Sequence, residues 1–404
     1  MIQRYTITEV LEDRWWVAGV AFATSLIATP IVRAVAYRLK FVDRPDDLLK
    51  PHARPVAYLG GVGMCVGLLT GLAAYIAVMP ELGQHWGQIT SDLLSSRALT
   101  LLGNPLWNLL AIGLAGVVIT AVGLLDDLVE MKPRKKVCGQ VLAAAILLGG
   151  GVGDRMIMVF FHPLGLAPPG WVVFPLSVIV CLVVVIAACN ATNLLDGLDG
   201  LCGGVTGIIA LGFLALAVWL ATWGRFPGTD ELRIILCLAM AGAVFGFLPY
   251  NIPPASIFMG DAGSMLLGFF VATVMALFCQ EGNTRWFIAA CAVFALPILD
   301  TGLAVVRRVL SGRSIFAGDR SHLYDQLVDR GMTVKQVVAL FYVLALVAAA
   351  IGVGLAIFVR ARYAVPIYAV LLVVIWAMFW KLGMIRPEAR KPAGSGSQPP
   401  PSSG

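Results

Sequence analysis

Long apolar runs, each broken by a short polar stretch, recur from one end of the chain to the other. They cover roughly residues 15–37, 57–79, 105–125, 137–153, 171–191, 201–222, 232–250, 262–279, 286–306, 334–359 and 363–380. A helix needs about 20 apolar residues to cross a bilayer core about 30 Å thick, and these runs are of that length. The pattern predicts an all-α, polytopic integral membrane protein with about eleven transmembrane helices. The fourth run is short and ends in Gly149, Gly150 and Gly151, so ten is the other count. The first run is too long for a removed signal peptide and lacks a small-residue cleavage site. Residues 1–386 read as one membrane domain without internal repeats. Residues 387–404, rich in Pro, Gly and Ser, read as a disordered tail.

Composition strengthens this reading. Of 404 residues, 59% are apolar and only 13% charged, against about 45–50% and about 25% in soluble domains. A soluble enzyme, a disordered chain and a secreted disulfide scaffold are all excluded. The eight cysteines stand singly, mostly inside apolar runs, with no CxxC pair to suggest zinc or a disulfide framework.

The basic residues choose an orientation. With the N-terminus outside, twenty of the 29 Lys and Arg fall in inside segments, among them Arg33, Arg38, Lys132, Arg134, Lys135, Lys136, Arg307, Arg308 and Lys381. That bias follows the positive-inside rule and predicts an N-out, C-in plasma-membrane protein.

Acidic residues at the ends of the spans carry the chemistry, because ionisable groups there are costly. Asp126 and Asp127 close the third run. Asn190, Asn193, Asp196 and Asp199 recur every third residue at the end of the fifth, a spacing that keeps them on one side of a helical path. Gly260-Asp261-Ala-Gly263-Ser264 opens the eighth, where amides at a helix N-terminus suit an anion. All three groups fall on the predicted cytoplasmic face. Their oxygens suit Mg²⁺ (or Mn²⁺), which takes a few carboxylates together with waters and substrate phosphates. Nearby inside loops supply His52, Lys136, Arg320 and His322. Acids, cation and basic rim together describe a site for phosphate esters, with no P-loop to hold them and no nucleic acid as partner. An acidic pair at a helix end is often only a solvated terminus, and an Asn-rich turn only a turn; the joint occurrence on one face argues against that. A secondary transporter would carry its acids near the bilayer centre, between repeats, and neither feature is present in the sequence.

In this order the motifs resemble the polyprenyl-phosphate N-acetylhexosamine-1-phosphate transferases. They are Val42-Asp-Arg-Pro-Asp46 with His52, Pro55, Gly60 and Gly61; Gly123 to Asp127; Lys136 with Gln140; Asn190 to Gly200; Gly260 to Ser264; and Pro297-Ile-Leu-Asp300-Thr301. The last motif and the His52 region look more like the GlcNAc-1-phosphate branch than the phospho-MurNAc-pentapeptide branch. The resemblance implies transfer of a sugar-1-phosphate from a UDP-N-acetylhexosamine to polyprenyl phosphate at the cytoplasmic bilayer face, with release of UMP. It further implies a homodimer, Asp127 and Asp261 as Mg²⁺ ligands, and Asp126 orienting or deprotonating the acceptor. Asn190, Asn193, Asp196 and Asp199 would bind the nucleotide or brace residues that do. Lys136, Arg320 and His322 would neutralise phosphate charge, and His52 would contact ligand. One motif departs. The branch's Asp-Arg-x-His-x-His-His reads Asp319-Arg-Ser-His322-Leu-Tyr324-Asp325, which leaves the donor sugar open.

Overall fold

The computed structural model describes residues 4–43, 55–79, 85–89, 91–92, 103–224, 227–280, 284–312 and 322–385. Besides short helices such as Ile7–Leu11 and Met158–Phe161, the helices are α1 (Trp16–Leu39), α2 (Gly60–Val78), α3 (Pro105–Val129), α4 (Pro133–Gly149), α5 (Gly170–Leu195), α6 (Leu201–Ala221) and α7 (Pro227–Asn251). They continue as α8 (Gly260–Cys279), α9 (Thr284–Val293), α10 (Ala295–Leu310), α11 (Leu323–Asp329), α12 (Val334–Phe358) and α13 (Ala361–Lys381). Every apolar run of the sequence is helical. Nine described helices are long and apolar enough to span a bilayer, and the pair α9–α10 makes a tenth if counted as one broken span. At 17 residues α4 is the short one, as its glycine ending suggests.

The ninth run differs from the expected single helix. It bends by 72° between Val293 and Ala295. Pro297 explains the break: it has no N–H for the carbonyl of Val293 four residues earlier, and its ring would collide with that carbonyl. Helix starts elsewhere follow local chemistry. Asn104 caps α3, its side chain accepting from the amides of Leu106 at 3.0 Å and Trp107 at 3.3 Å, with Pro105 in the first position. Thr333 and Gln336 form a capping box at α12.

α8 is the axis of the bundle. Each of its residues except Asp261 is buried. Its outer partners are α2, α3 and α5, and small residues let them close in. A Cβ on Gly123 would lie 2.4 Å from the Asp261 carbonyl oxygen, and one on Gly61 would lie 2.1 Å from the Gly263 amide. A two-residue hairpin, β1 (Val42–Asp43) with β2 (Val56–Ala57), folds over the same end. It is tied to the chain entering α8 by Phe258 N to Ala57 O at 2.8 Å and Gly60 N to Phe258 O at 2.9 Å. The proposed tail, residues 387–404, lies outside the described residues, as do His52 and Arg320.

Candidate active site

The three acidic stretches, far apart in sequence, meet where α3 ends, α5 ends and α8 begins. The link between α3 and α8 is Asp127. Its Oδ1 accepts the amide of Asp261 at 2.8 Å and its Oδ2 the amide of Ala262 at 3.2 Å. The sequence suggested that these amides could hold an anion; the anion there is a carboxylate of the protein itself. Gly260 makes this possible. It has φ +67°, and a Cβ there would lie 2.5 Å from Asp127 Oδ2.

Asp261, half-buried in the first turn of α8, collects side chains from two other helices. Lys136, in the first turn of α4, bridges Asp261 and Asp126, lying 2.8 Å from the latter. Asn193 donates to Asp261 Oδ1 at 2.6 Å and to Ser264 Oγ at 3.0 Å. Asp126 also accepts the amide of Met131 at 2.7 Å, closing the turn between α3 and α4.

Asp196, one residue past α5, stands by the same group. Burial, and then the charges of Asp261, Asp127 and Asp199, push its carboxyl well above the usual range. No hydrogen-bond partner of its side chain is seen among the described residues. Asn190 and Asp199, which share its predicted face, serve the scaffold. Asn190 donates to Gln140 at 3.1 Å and to the carbonyl of Ile186 at 2.7 Å. Asp199 accepts the amide of Ala255 at 2.9 Å, pinning the segment before α8.

Sequence reasoning missed two members of the site. Tyr58, just after β2, donates its hydroxyl to Asp43; burial, with the nearby charges of Asp43, Asp127 and Asp196, pushes its phenol up. Asp300 was visible as a motif but had no role. It receives His322 Nδ1 at 2.8 Å and the amide of Leu323 at 2.7 Å, so it anchors the buried imidazole and the start of α11 together. Tyr324 stands where the motif resemblance leads one to expect a histidine. Its hydroxyl donates to the Leu194 carbonyl at 3.0 Å, which docks α11 on the last turn of α5 beside Asp196.

Among the described residues no three His, Cys, Asp or Glu side chains close into a metal-binding group. The donors fit Mg²⁺ nonetheless, because this ion is commonly held by one or two carboxylates and completes its shell with water and substrate phosphate. A second observation agrees: Asp196, whose side chain has no hydrogen-bond partner among the described residues, stands beside Asp127 and Asp261.

Comparison with known proteins follows the same line. A family model described as glycosyl transferase family 4 matches residues 109–279, from within α3 to the end of α8. The decaprenyl-phosphate N-acetylglucosaminephosphotransferase of Mycobacterium leprae is 33% identical over 333 residues, covering 78% of this chain and 77% of its own. A probable undecaprenyl-phosphate N-acetylglucosaminyl 1-phosphate transferase of Bacillus subtilis is 27% identical and covers 80% of each chain. The phospho-N-acetylmuramoyl-pentapeptide-transferase of Mycolicibacterium smegmatis is 29% identical, over 83% of this chain and 95% of its own.

Proposed function

The chain belongs to glycosyl transferase family 4, and we propose that it transfers N-acetylglucosamine-1-phosphate from UDP-N-acetylglucosamine to a polyprenyl phosphate, releasing UMP. The observation that carries this is the meeting of Asp126, Asp127, Asp196 and Asp261, with Lys136 between Asp126 and Asp261, at one end of an apolar bundle. The names of the relatives supply the acceptor and the sugar.

At such a site the acceptor chain stays in lipid and its phosphate reaches the helix ends. An acceptor phosphate oxygen attacks the sugar-proximal phosphorus of the donor, the bond to the UMP oxygen breaks, and UMP leaves with the electron pair. Phosphoryl transfer asks little covalent chemistry of the protein and depends mainly on positioning and charge. Asp261 and Asp127 would hold Mg²⁺, with Asp196 facing them. When bound, the ion neutralises the donor diphosphate. Asp126 orients the acceptor, whose second pKa near 6 leaves it largely ionised without a base. Lys136 neutralises phosphate charge, and Asn193 keeps Asp261 in place. Arg320 and His52 remain expected ligand contacts. The site faces the cytoplasm of an N-out, C-in protein in the plasma membrane.

The purified protein with a polyprenyl phosphate should release UMP from UDP-N-acetylglucosamine in Mg²⁺ and form a lipid-linked sugar. EDTA should stop both, and added Mg²⁺ should restore them. No UMP from any UDP-N-acetylhexosamine, by protein that remains folded, would overturn the proposal.

A further inference from the structure

The acidic cluster leaves Asp300 unused, yet it is buried and makes two directed contacts from α10 to the start of α11. Asp300 lies on α10, in the second turn after the 72° bend. One carboxylate oxygen accepts the amide that begins α11, and the other meets His322 Nδ1. A carboxylate only accepts, so Nδ1 is the imidazole nitrogen that carries the proton. Nε2 has no partner among the described residues. The imidazole face is occupied too: the Tyr324 ring stacks on it at 5.5 Å between centroids, 7° from parallel. The same tyrosine bonds Leu194 and packs on Gly197, where a Cβ would run into its ring and hydroxyl. His322 is therefore fixed from two sides, by α10 and by the end of α5 that presents Asp196.

We propose that Asp300 is a positioning residue for the transfer: it holds the proton on His322 Nδ1, and with Tyr324 it presents Nε2 of that imidazole to the diphosphate of the nucleotide-sugar donor. This rests on the reading of the function given above. The stacked tyrosine contributes a flat face and a hydroxyl anchor, so the His322 ring is held in one orientation while Asp300 fixes its tautomer. Carboxylate partners of this kind set the tautomer and orientation of an imidazole, and losing one at a metal-bound histidine typically costs about 10–100-fold.

Asp300→Asn tests it. The amide is nearly isosteric and can still accept from Leu323, but it offers an N–H to Nδ1 and reverses the tautomer. The chain has four histidines, so ¹⁵N-histidine spectra of the detergent-purified protein, assigned with His322→Ala, can follow this one. At pH 8.5 Nδ1 should be protonated in the wild type and bare in Asp300→Asn. Turnover of UDP-N-acetylglucosamine should fall about 10–100-fold in Asp300→Asn and further in His322→Ala. Adding Asp300→Asn to His322→Ala should cost nothing more, because the carboxylate acts through the imidazole. Tyr324→Phe should keep the Nδ1 proton, since it leaves the Asp300 carboxylate in place. A bare Nδ1 in the wild type, or losses that multiply in the double variant, would overturn the proposal. A wild type that releases no UMP, while its Nδ1 proton still depends on Asp300, would instead overturn the reading of the function.

Discussion

Asp127 and Asp261 are both proposed to hold Mg²⁺, but their surroundings give Asp127 a structural job as well. Asp127 spends an oxygen on each of two backbone amides of α8, so it acts as a long-range cap for the central helix. Asp261 is held only by side chains. Asparagine at 127 has one acceptor oxygen in place of two, and its NH₂ would oppose an amide N–H. Asp127→Asn should therefore lose activity and also stability, by about 1–2 kcal/mol, measured as a lower melting temperature in detergent. Asp261→Asn should abolish UMP release while leaving membrane abundance and melting temperature near those of the wild type. Turnover near the wild-type rate in Asp261→Asn would remove that residue from the metal site. The sequence marks these residues as candidates, because acids at span ends are conspicuous. It could not show the division of labour, since a carboxylate capping a helix that lies more than 130 residues further along depends on how two helices cross.

At the scale of elements, the sequence made the helices plain and their contacts obscure. A run of about 20 apolar residues marks a spanning helix whatever it packs against. Its glycines, by contrast, look alike until the neighbours are known. Gly113 and Gly123 both lie in α3, yet a Cβ at 113 would meet only Leu69 Cδ2 at 3.6 Å, whereas at 123 it would strike the backbone of Asp261 and Ala262. Backbone cannot swing aside as a side chain can. Gly123→Ala should push α3 away from α8, pull Asp127 from its two amides, and cost about 1–3 kcal/mol by overpacking. Gly113→Ala should leave activity unchanged and stability equal or slightly higher, since alanine favours a helix. Comparable melting curves for the two variants would show that the α3–α8 crossing is not the tight point it is taken to be. The bend before Pro297 was hidden for a related reason. Proline within an apolar run is tolerated in membranes when neighbours satisfy the freed carbonyls, so its presence does not announce 72°. The pairing of Asp300 with His322 was hidden for another reason: it depends on how the chain returns from the end of α10 to the start of α11, which no periodicity in the sequence states.

The whole molecule divides its charges between two ends. At one end lie the acidic site and Lys136, the close of α1 with Arg38, and the β1–β2 hairpin tied to the start of α8. Arg330 there donates to the Leu382 carbonyl at 3.2 Å, which brings the close of α13 to the same end. At the other end Arg14 pairs with Glu231 at 3.5 Å, and Arg233 is buried against Asp230 and the Leu277 carbonyl at the close of α8. The described basic residues read as inside thus gather with the site, and under the proposed N-out, C-in orientation, which rests on positive-inside bias, that end faces the cytoplasm. Cys138 gives a direct check. It lies two residues after Lys136 in α4 and is exposed, whereas the other seven cysteines are buried or half-buried. A membrane-impermeant maleimide should label the protein in inside-out vesicles and not in intact cells, and Cys138→Ser should remove that label. Solubilised wild-type protein should label in both preparations, which separates sidedness from reactivity. Labelling of Cys138 from outside intact cells would invert the topology. The acids would then face a compartment without nucleotide sugars, and the proposed donor could not reach them.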